Sequence, residues 1–357
     1  MTWIPLLLAD PSPCLRWLVL RELLEHADDG SEVRELAAQR ERDPLVAPLL
    51  ARLGPDGEDA SRGGEEASAQ EGRADADDEL QSADLMRPTM LALMRLGYLG
   101  FDGTHPVVAR GAAHLFSLQR ADGAWERPGG YGDSGEGEGY SMIPLQTALP
   151  LRALAMCGYA TDPRAERGYD WLLAQRLSDG AWPTGIAGGG TYGRVAGYRR
   201  MPRSRWGCRS NTTGALLCLA HHPERRHSPE AQRALDLVLG RETREASTLG
   251  FEVARLIGAE PARGFLTFYA RFDLAQILDL CWRVGATPDD ARVAGVVTFV
   301  EGLLGPYGLW DIEPPQASRW VTFDLLRSLS RLDRAGEWVS QEPRTPFQTY
   351  PRSSRRY

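Results

Sequence analysis

The segment WLLAQRLSDGAW (Trp171–Trp182) joins a helical pattern to an Asp-Gly turn and ends in a tryptophan. The same order recurs in LFSLQRADGAW (Leu115–Trp125) and, with more changes, in LLARLGPDG (Leu49–Gly57) and FVEGLLGPYGLW (Phe299–Trp310). Self-similarity of this kind is the sequence signature of a repeat architecture. We therefore expect the chain to be built from copies of one supersecondary unit.

The spacing of the turn glycines predicts how many units there are. Gly57, Gly123, Gly180 and Gly308 are separated by 66, 57 and 128 positions, and 128 is twice 64. A fifth unit, whose turn sequence has diverged and which we call the worn unit, is therefore expected between the last two turns. The segment LDLVLGRETRE (Leu235–Glu245) lies where that unit belongs.

Each unit contains two helical patterns of different character. The pattern after a turn is strongly apolar, as in SMIPLQTALPLRALAMCGY, whereas the pattern before a turn is amphipathic, as in PRAERGYDWLLAQR. The stretch SPCLRWLVLRELLEH near the start of the chain brings the apolar patterns to six. We therefore predict an all-α fold, an α/α toroid of the α6/α6 type whose apolar helices line the inside.

Charge is concentrated in one insert. Residues 56–79 hold ten acids against two arginines, a charge of −8 in a protein whose net charge is −7. Such a segment has little to bury, so we predict a mobile acidic insert at 56–83 within a single toroid domain at 1–340, followed by a basic tail at 341–357. The nearly neutral remainder does not indicate nucleic-acid binding.

Composition excludes several kinds of chemistry. All 41 basic residues are arginine, so the chain has no lysine for a Schiff base, a pyridoxal phosphate linkage or a Walker A loop. Five scattered cysteines favour a reducing compartment over a disulfide framework. No apolar run approaches the ~20 residues of a membrane span, and the first residues lack a basic signal-peptide region. These features together predict a cytoplasmic protein.

The motifs QRADGAW and QRLSDGAW resemble the repeat shared by squalene-hopene cyclases and the β subunits of protein prenyltransferases. The resemblance implies the toroid fold and a central cavity for an isoprenoid or similar apolar molecule. The transferases hold zinc with an Asp-x-Cys pair and a later histidine. Asp279 and Cys281 match that pair, but the last histidine is His227, so we predict neither a metal nor another cofactor.

Two aspartates are candidates for a catalytic acid. Cyclases of this fold protonate their substrate with the middle residue of an Asp-x-Asp-Asp motif, and Asp77 holds that place in a matching string within the acidic insert. The chemistry needs a carboxyl group that stays protonated in a dry setting. Asp273, near the start of an apolar helical pattern, is the other candidate, although a helix cap would also explain it.

Substrate-binding candidates fall into two groups. A stretch without acids at 186–211 carries six arginines, and a guanidinium can hold a diphosphate; the candidates here are Arg199, Arg205 and Arg209. Aromatic faces stabilise carbocations, and aromatic residues lie on or beside the apolar helices. That second group comprises Trp17, Tyr140, Trp206, Tyr269, Phe272 and Trp320, with Arg271 beside Asp273.

These observations favour a protein that binds an isoprenoid-like molecule in a central cavity. If it is catalytic, we expect a metal-independent cyclase or isomerase that starts its reaction by protonation. A non-catalytic binding or scaffold toroid is the alternative. A zinc-dependent transferase is disfavoured because the third ligand is missing.

Overall fold

The computed structural model describes residues 3–54, 86–125, 144–184, 200–201, 203–240, 248–260 and 272–332. These ranges are helical and contain only isolated single-residue bridges in place of strands, which confirms the all-α prediction. The helices are α1 (Trp3–Leu8), α2 (Pro13–Leu18), α3 (Ser31–Gln39), α4 (Ala47–Arg52), α5 (Met86–Tyr98), α6 (Pro106–Ser117), α7 (Pro144–Met156), α8 (Pro163–Ala174), α9 (Arg209–Ala220), α10 (Pro229–Leu239), α11 (Phe251–Leu256), α12 (Leu274–Val284), α13 (Ala291–Glu301) and α14 (Ser318–Leu332).

Each of the six apolar patterns forms a helix, and these helices contact one another in chain order. Helix α5 contacts α7, α7 contacts α9, α9 contacts α12, and α12 contacts α14. Helix α2 continues into a π-helical turn (Val19–Leu23), which contacts α14 and so brings the first and last helices together. This arrangement is consistent with an all-α toroid that has α2, α5, α7, α9, α12 and α14 on its inside.

The amphipathic helices begin with the capping chemistry that their sequences predict. Side chains of Asp162, Ser228 and Asp290 accept hydrogen bonds from backbone N–H groups in the first turns of α8, α10 and α13. Such caps satisfy backbone donors that a helix start leaves without partners. The helix before each turn is therefore fixed at its start by a local signal.

Three of the turns have the same hydrogen-bond geometry. The indole N–H groups of Trp125, Trp182 and Trp310 each donate, at 2.7 Å, to the carbonyl ten residues earlier. Their backbone N–H groups donate to threonine hydroxyls on the following inner helix, which are Thr147, Thr212 and Thr322, at 3.0 to 3.1 Å. Each tryptophan is buried. A tryptophan junction of this kind thus ties an outer helix to the next inner one.

Inner helices approach closely where a glycine allows it. A Cβ atom at Gly97 on α5 would come within 2.9 Å of the backbone of Met156 on α7. Any larger residue would force these two helices apart. The backbones of α5 and α7 are therefore in direct contact at one edge of the central space.

Several predicted features lie outside the described residues: the acidic insert at 56–83, the tail at 341–357, and the worn turn at 241–245. The single-domain prediction for 1–340 stays a prediction. No helix within the described ranges is long and apolar enough to cross a membrane.

Candidate functional site

A cavity of about 330 Å³ lies between the inner helices. Its lining takes residues from the π-helical turn after α2, from α5, α7, α9, α12 and α14, and from the short helix α11. Residues of this cavity are therefore contributed by all six inner segments, as a central cavity in a toroid requires.

The lining of the cavity is asymmetric. Its apolar residues are Ala155 and Met156 on α7, Leu217 on α9, and Val253 and Leu256 on α11, and α7 and α11 also contribute the paired Arg152 and Glu252. Helices α12 and α14 contribute only polar residues, namely Gln276, Asp279, Arg283, Asp324, Arg327 and Arg331. We call the first set the apolar side and the second set, together with Glu22, the charged side. The sequence predicts an apolar, aromatic-lined cavity, and the charged side is the main difference from that prediction.

Arg327 is the centre of the charged side. Its guanidinium donates to Asp324 at 2.5 Å and lies 3.5 Å from Asp279 and 3.5 Å from Glu22. Arg331 adds a second contact to Glu22, at 3.0 Å. One buried arginine therefore joins three carboxylates that come from α12, α14 and the N-terminal turn.

The ionisable groups of the charged side differ in their protonation. Burial acts to raise the pKa of Asp279, but Arg283 and Arg327 outweigh it and hold that pKa below its usual range. Burial raises the pKa of Asp324 above its usual range, against the attraction of Arg327. Two carboxylates on one guanidinium therefore have pKa values displaced in opposite directions, an arrangement that is characteristic of acid–base sites.

A histidine lines the same cavity. Burial lowers the pKa of His221 well below its ordinary value, and the nearby Arg283 lowers it further. His221 is therefore neutral near pH 7 and can act as a hydrogen-bond donor or acceptor without adding charge.

A buried ion pair lies where α7 and α11 meet. Arg152 on α7 donates to Glu252 on α11 at 2.7 Å, and Arg255 approaches the same carboxylate at 3.2 Å. Burial acts to raise the pKa of Glu252, but Arg255 and Arg152 together lower it. Glu252 is therefore held as an anion between two guanidinium groups.

Glu252 follows a turn that resembles the tryptophan junctions. Gly250 has a positive φ of 75°, and the N–H of the residue two positions on, Glu252, donates to the Asp273 carboxylate at 2.7 Å. The tryptophan junctions have the same order, because each tryptophan follows a positive-φ glycine by two positions. The turn at Gly250 therefore has the same order, and Glu252 stands where the tryptophan junctions have tryptophan.

Asp273 is placed as a structural acceptor. Its carboxylate takes backbone N–H groups from Gly250 at 2.8 Å, Glu252 at 2.7 Å and Ala275 at 3.1 Å. Burial raises its pKa to about 6, opposed by the N–H groups of Glu252 and Gly250. The described lining of the cavity does not include Asp273. Its cap position agrees with the sequence, whereas its role as a proton donor stays a prediction.

The other predicted site residues divide into two sets. Those outside the described residues are Asp77, Tyr140, Arg199, Tyr269 and Arg271. Those described are Trp17, Trp206, Phe272, Trp320, Arg205 and Arg209, and the described lining of the cavity includes none of them.

The described candidates pack elsewhere in the fold. Trp17 stacks under the guanidinium of Arg40 at 3.9 Å, and Trp320 lies 5.9 Å from the ring of Tyr98. Arg205 stacks on Trp206 at 4.8 Å. Phe272 is buried beside Asp273, and Arg209 donates to the carbonyl of Arg200 at 2.9 Å. Their assignment to a substrate site stays a prediction.

Sequence reasoning missed the charged side. One signal was available: α12 and α14 carry charged residues three or four positions apart, at 279 and 283 and at 324, 327 and 331, within otherwise apolar patterns. Such spacing places the charges on one face of a helix. Charged residues on a helix predicted to be inside indicate a polar site.

The two residues of the Asp-x-Cys pair lie in different surroundings, because only Asp279 is in the described lining of the cavity. Asp279 lies in the charged side, whereas Cys281 is a buried free cysteine whose thiol pKa is raised by burial. Among the described residues, no group of three His, Cys, Asp or Glu side chains is arranged to hold a metal ion.

Comparison with known proteins supports the family resemblance. Residues 83–198 match the family model "Squalene-hopene cyclase C-terminal domain", which supports a prenyltransferase or terpenoid cyclase-like family and confirms the resemblance. A crystal structure of a protein from Actinoplanes aligns with 69% of this chain and 90% of its own, at 15% identity and a TM-score of 0.27. No match to a curated protein was found.

Proposed function

We propose that the protein binds an amphipathic small molecule in its central cavity. The observation that carries the proposal is the asymmetric lining, in which the apolar residues lie on α7, α9 and α11, beside the paired Arg152 and Glu252, and α12 and α14 contribute only polar residues. A volume of about 330 Å³ lies near the lower end of the range for small-molecule sites. The ligand places its apolar body on one side and a polar group on the other.

The cyclase-like family supports an isoprenoid or similar molecule as the apolar body. The charged side adds a requirement that the family resemblance does not supply. A purely hydrocarbon ligand would leave buried charged groups facing an apolar surface, which is costly. An isoprenoid that carries a polar group meets both conditions.

The test is to identify what the purified protein carries. Organic extraction of the protein followed by mass spectrometry should detect a bound amphipathic molecule. Ala155→Trp places a large side chain into the cavity from α7, so this variant should lose the molecule while it remains folded. Ala174→Trp, on the exposed surface of α8, is the matched control and should retain it.

Equal retention by Ala155→Trp and Ala174→Trp would contradict binding in the cavity. Complete absence of a bound molecule from the wild type, together with no thermal shift from a panel of isoprenoid alcohols, would overturn the proposal.

Acid-initiated cyclisation or isomerisation is a second candidate function. The observation that favours it is the position of Asp324, a buried carboxyl group in the cavity lining whose pKa is raised. Protonation of an alkene requires a carboxylic acid in its protonated form, and the raised pKa of Asp324, about 6, increases the fraction of that form. On this candidate, Asp324 transfers its proton to a substrate double bond, and the resulting cation loses a proton or adds a nucleophile.

The test measures whether a proton from solvent is transferred to a carbon atom of the ligand. Incubation of the extracted ligand with the protein in D2O should introduce deuterium at carbon if protonation occurs. Asp324→Asn should abolish that incorporation while ligand retention is unchanged. Asp273→Asn should preserve it, because Asp273 is bonded to three backbone N–H groups outside the lining. Asp77→Asn tests the remaining acid, and incorporation that is undiminished in Asp324→Asn would reject Asp324 as the donor.

A further inference from the structure

Two arginines of the charged side present guanidinium N–H groups that no described residue accepts. Arg283 donates through Nε to Asp279 at 2.8 Å, and its two amino groups have no hydrogen-bond partner in the described part of the chain. Arg331 donates through one amino group to Glu22 at 3.0 Å, and its Nε and other amino group have no partner there. The side chains of Arg283 and Arg331 are 16% and 29% exposed, against 7% for Arg327. None of these unpartnered atoms is enclosed by the protein, so a molecule in the cavity can reach them.

The indole of Trp282 holds the two guanidinium groups together. The Cζ atom of Arg283 lies 4.5 Å from the centre of the ring, and that of Arg331 lies 4.6 Å from it. The indole N–H donates at 3.1 Å to Asp279, the carboxylate that also fixes the Nε of Arg283. Burial lowers the pKa of Arg331, and the positive charges of Arg327 and Arg283 lower it further. An anion between the two guanidinium groups would relieve this repulsion.

The outer end of Arg283 has the geometry of a carboxylate site. A guanidinium whose Nε is bonded elsewhere still presents two parallel N–H groups from its amino nitrogens, and these match the two oxygens of a carboxylate. Hydrogen bonds between two ionised groups are also shorter and stronger than those to a hydroxyl or ether oxygen. This end of the cavity therefore favours a carboxylate over a neutral oxygen.

The lining can compensate one added negative charge. It contains four arginines and four carboxylates, so it is neutral when all of them are ionised. Burial raises the pKa of Asp324, so this carboxyl group takes up a proton nearer to neutral pH than an ordinary one does. A bound carboxylate favours that protonation, which restores neutrality. A diphosphate carries more negative charge than one proton compensates. The groups that interact with Asp324 are Arg327 on its own helix, Asp279 and Arg283 on α12, Glu22 in the π-helical turn and Tyr98 on α5.

We infer that Arg283 and Arg331 are specificity-determining residues that bind the carboxylate of an amphipathic ligand, whose carbon chain lies on the apolar side. This inference rests on the proposed function, since it names the polar group of the molecule in the cavity. Trp282 and Asp279 orient the two guanidinium groups and are positioning residues. The ligand class is therefore an isoprenoid or similar carboxylate.

Three probes that share one carbon skeleton test the inference: geranate, geraniol and geranyl diphosphate. The readout is the methyl signal of Met156 in protein labelled with methyl-13C methionine, since Met156 lines the cavity. Met156→Leu assigns that signal among the seven methionines. At pH 7, geranate should shift the signal and bind about tenfold more tightly than geraniol or geranyl diphosphate.

Substitutions test the two arginines. Arg283→Lys keeps the charge beside Asp279 but removes the paired N–H groups, so it should bind geranate about tenfold more weakly. Arg331→Gln removes the second charge and should weaken geranate by about the same factor. The affinity of both variants for geraniol should change by less than about threefold. Arg167→Lys, on the exposed surface of α8, is the matched control and should bind as the wild type does. Thermal midpoints show which variants are folded, and Arg331→Gln alone decides if Arg283→Lys is not.

The pH dependence of binding tests the charge compensation. Geranate is ionised at pH 6 and at pH 8, because the ordinary pKa of a carboxylic acid lies below both. Since the bound carboxylate favours protonated Asp324, the complex holds more protons than the free protein. The affinity for geranate should therefore be about tenfold higher at pH 6 than at pH 8, whereas geraniol should bind equally at both.

Several results would overturn the inference. Geraniol or geranyl diphosphate binding as tightly as geranate would reject a carboxylate site while leaving amphipathic binding intact. Geranate affinities that are equal in the two arginine variants and the wild type would reject the two arginines. Equal affinity for geranate at pH 6 and pH 8 would reject the charge compensation that lets a neutral lining accept an anion. A Met156 signal that no probe shifts, including the molecule extracted from the protein, would overturn the proposed function together with this inference.

Discussion

The three tryptophan junctions and the junction at Gly250 perform the same connection with different chemistry. At the former, Trp125, Trp182 and Trp310 are buried and their backbone N–H groups donate to threonine hydroxyls. At the latter, the backbone N–H of Glu252 donates to the carboxylate of Asp273. Both kinds tie a turn to the next inner helix.

The two kinds of junction differ in the position of the side chain that follows the turn glycine by two residues. A tryptophan at the junction packs into the protein and bonds its own outer helix. Glu252 instead lines the central cavity and pairs with Arg152 from α7. One unit of the repeat has therefore exchanged a packing residue for a charge in the cavity. All four described junctions therefore keep the backbone connection, whereas the side chain at this place differs at one of them.

The largest expected effect is at a tryptophan junction. Trp182→Ala should lower the free energy of unfolding by about 3–5 kcal/mol, because it empties a large buried site and removes an indole hydrogen bond. Urea denaturation measures this loss. Trp171→Ala, on a half-buried site of α8, is the control and should cost clearly less. Equal losses from the two variants would show that the junction has no special part in the fold.

Glu252→Gln tests the charged junction. The amide keeps the shape but removes the negative charge that Arg152 and Arg255 share, so the free energy of unfolding should fall by about 3 kcal/mol. Glu301→Gln, an exposed site at the end of α13, should change it by less than about 0.5 kcal/mol. A Glu252→Gln protein as stable as the wild type would mean that the ion pair serves the ligand rather than the fold.

Asp273→Asn should cost about 1–2 kcal/mol, since both carboxylate oxygens accept backbone N–H groups and an amide can replace only one of them. The cost should depend on pH. Because the pKa of Asp273 in the folded protein is raised to about 6, its protonation favours the fold below the unfolded value near 4, and this contribution is lost as pH rises through 6.

Paired urea titrations of Asp273→Asn and the wild type at pH 4.5 and pH 7.5 check this dependence. The stability deficit of the variant should therefore be larger at pH 4.5. A deficit that grows with pH would show instead that the three N–H donors outweigh burial and keep the carboxylate ionised.

Thr212→Val is expected to have the smallest effect. Valine preserves the shape of threonine but removes the hydroxyl that accepts from the backbone of Trp182, so about 1 kcal/mol should be lost. Thr147→Val and Thr322→Val should give similar values in thermal unfolding, because their geometry is the same. A wide spread among the three would show that the junctions are not equivalent.

Short sequence motifs made the helices and their turns predictable. The cavity has no such motif, so the sequence did not predict its charged side. The Asp-Gly turns, the tryptophans and the proline helix starts each act within a few residues of the chain, so α6, α8 and their turns follow from the sequence. The cavity does not follow, because Arg152 and Glu252 are 100 positions apart and no motif joins them. The junction at Gly250 also does not follow from the sequence, because Glu252 stands where the other junctions have the tryptophan that marks them.

The ion pairs between the two ends of the described chain have a consequence for how the protein is made. Glu22 pairs with Arg331, and Asp10 with Arg319, each across 309 positions. During synthesis, the segment at 13–23 leaves the ribosome long before α14 has been made. The surface of this segment that contacts α14 in the folded protein is therefore exposed until synthesis is nearly complete. Contacts of such long separation slow folding, because the connecting chain must be ordered first.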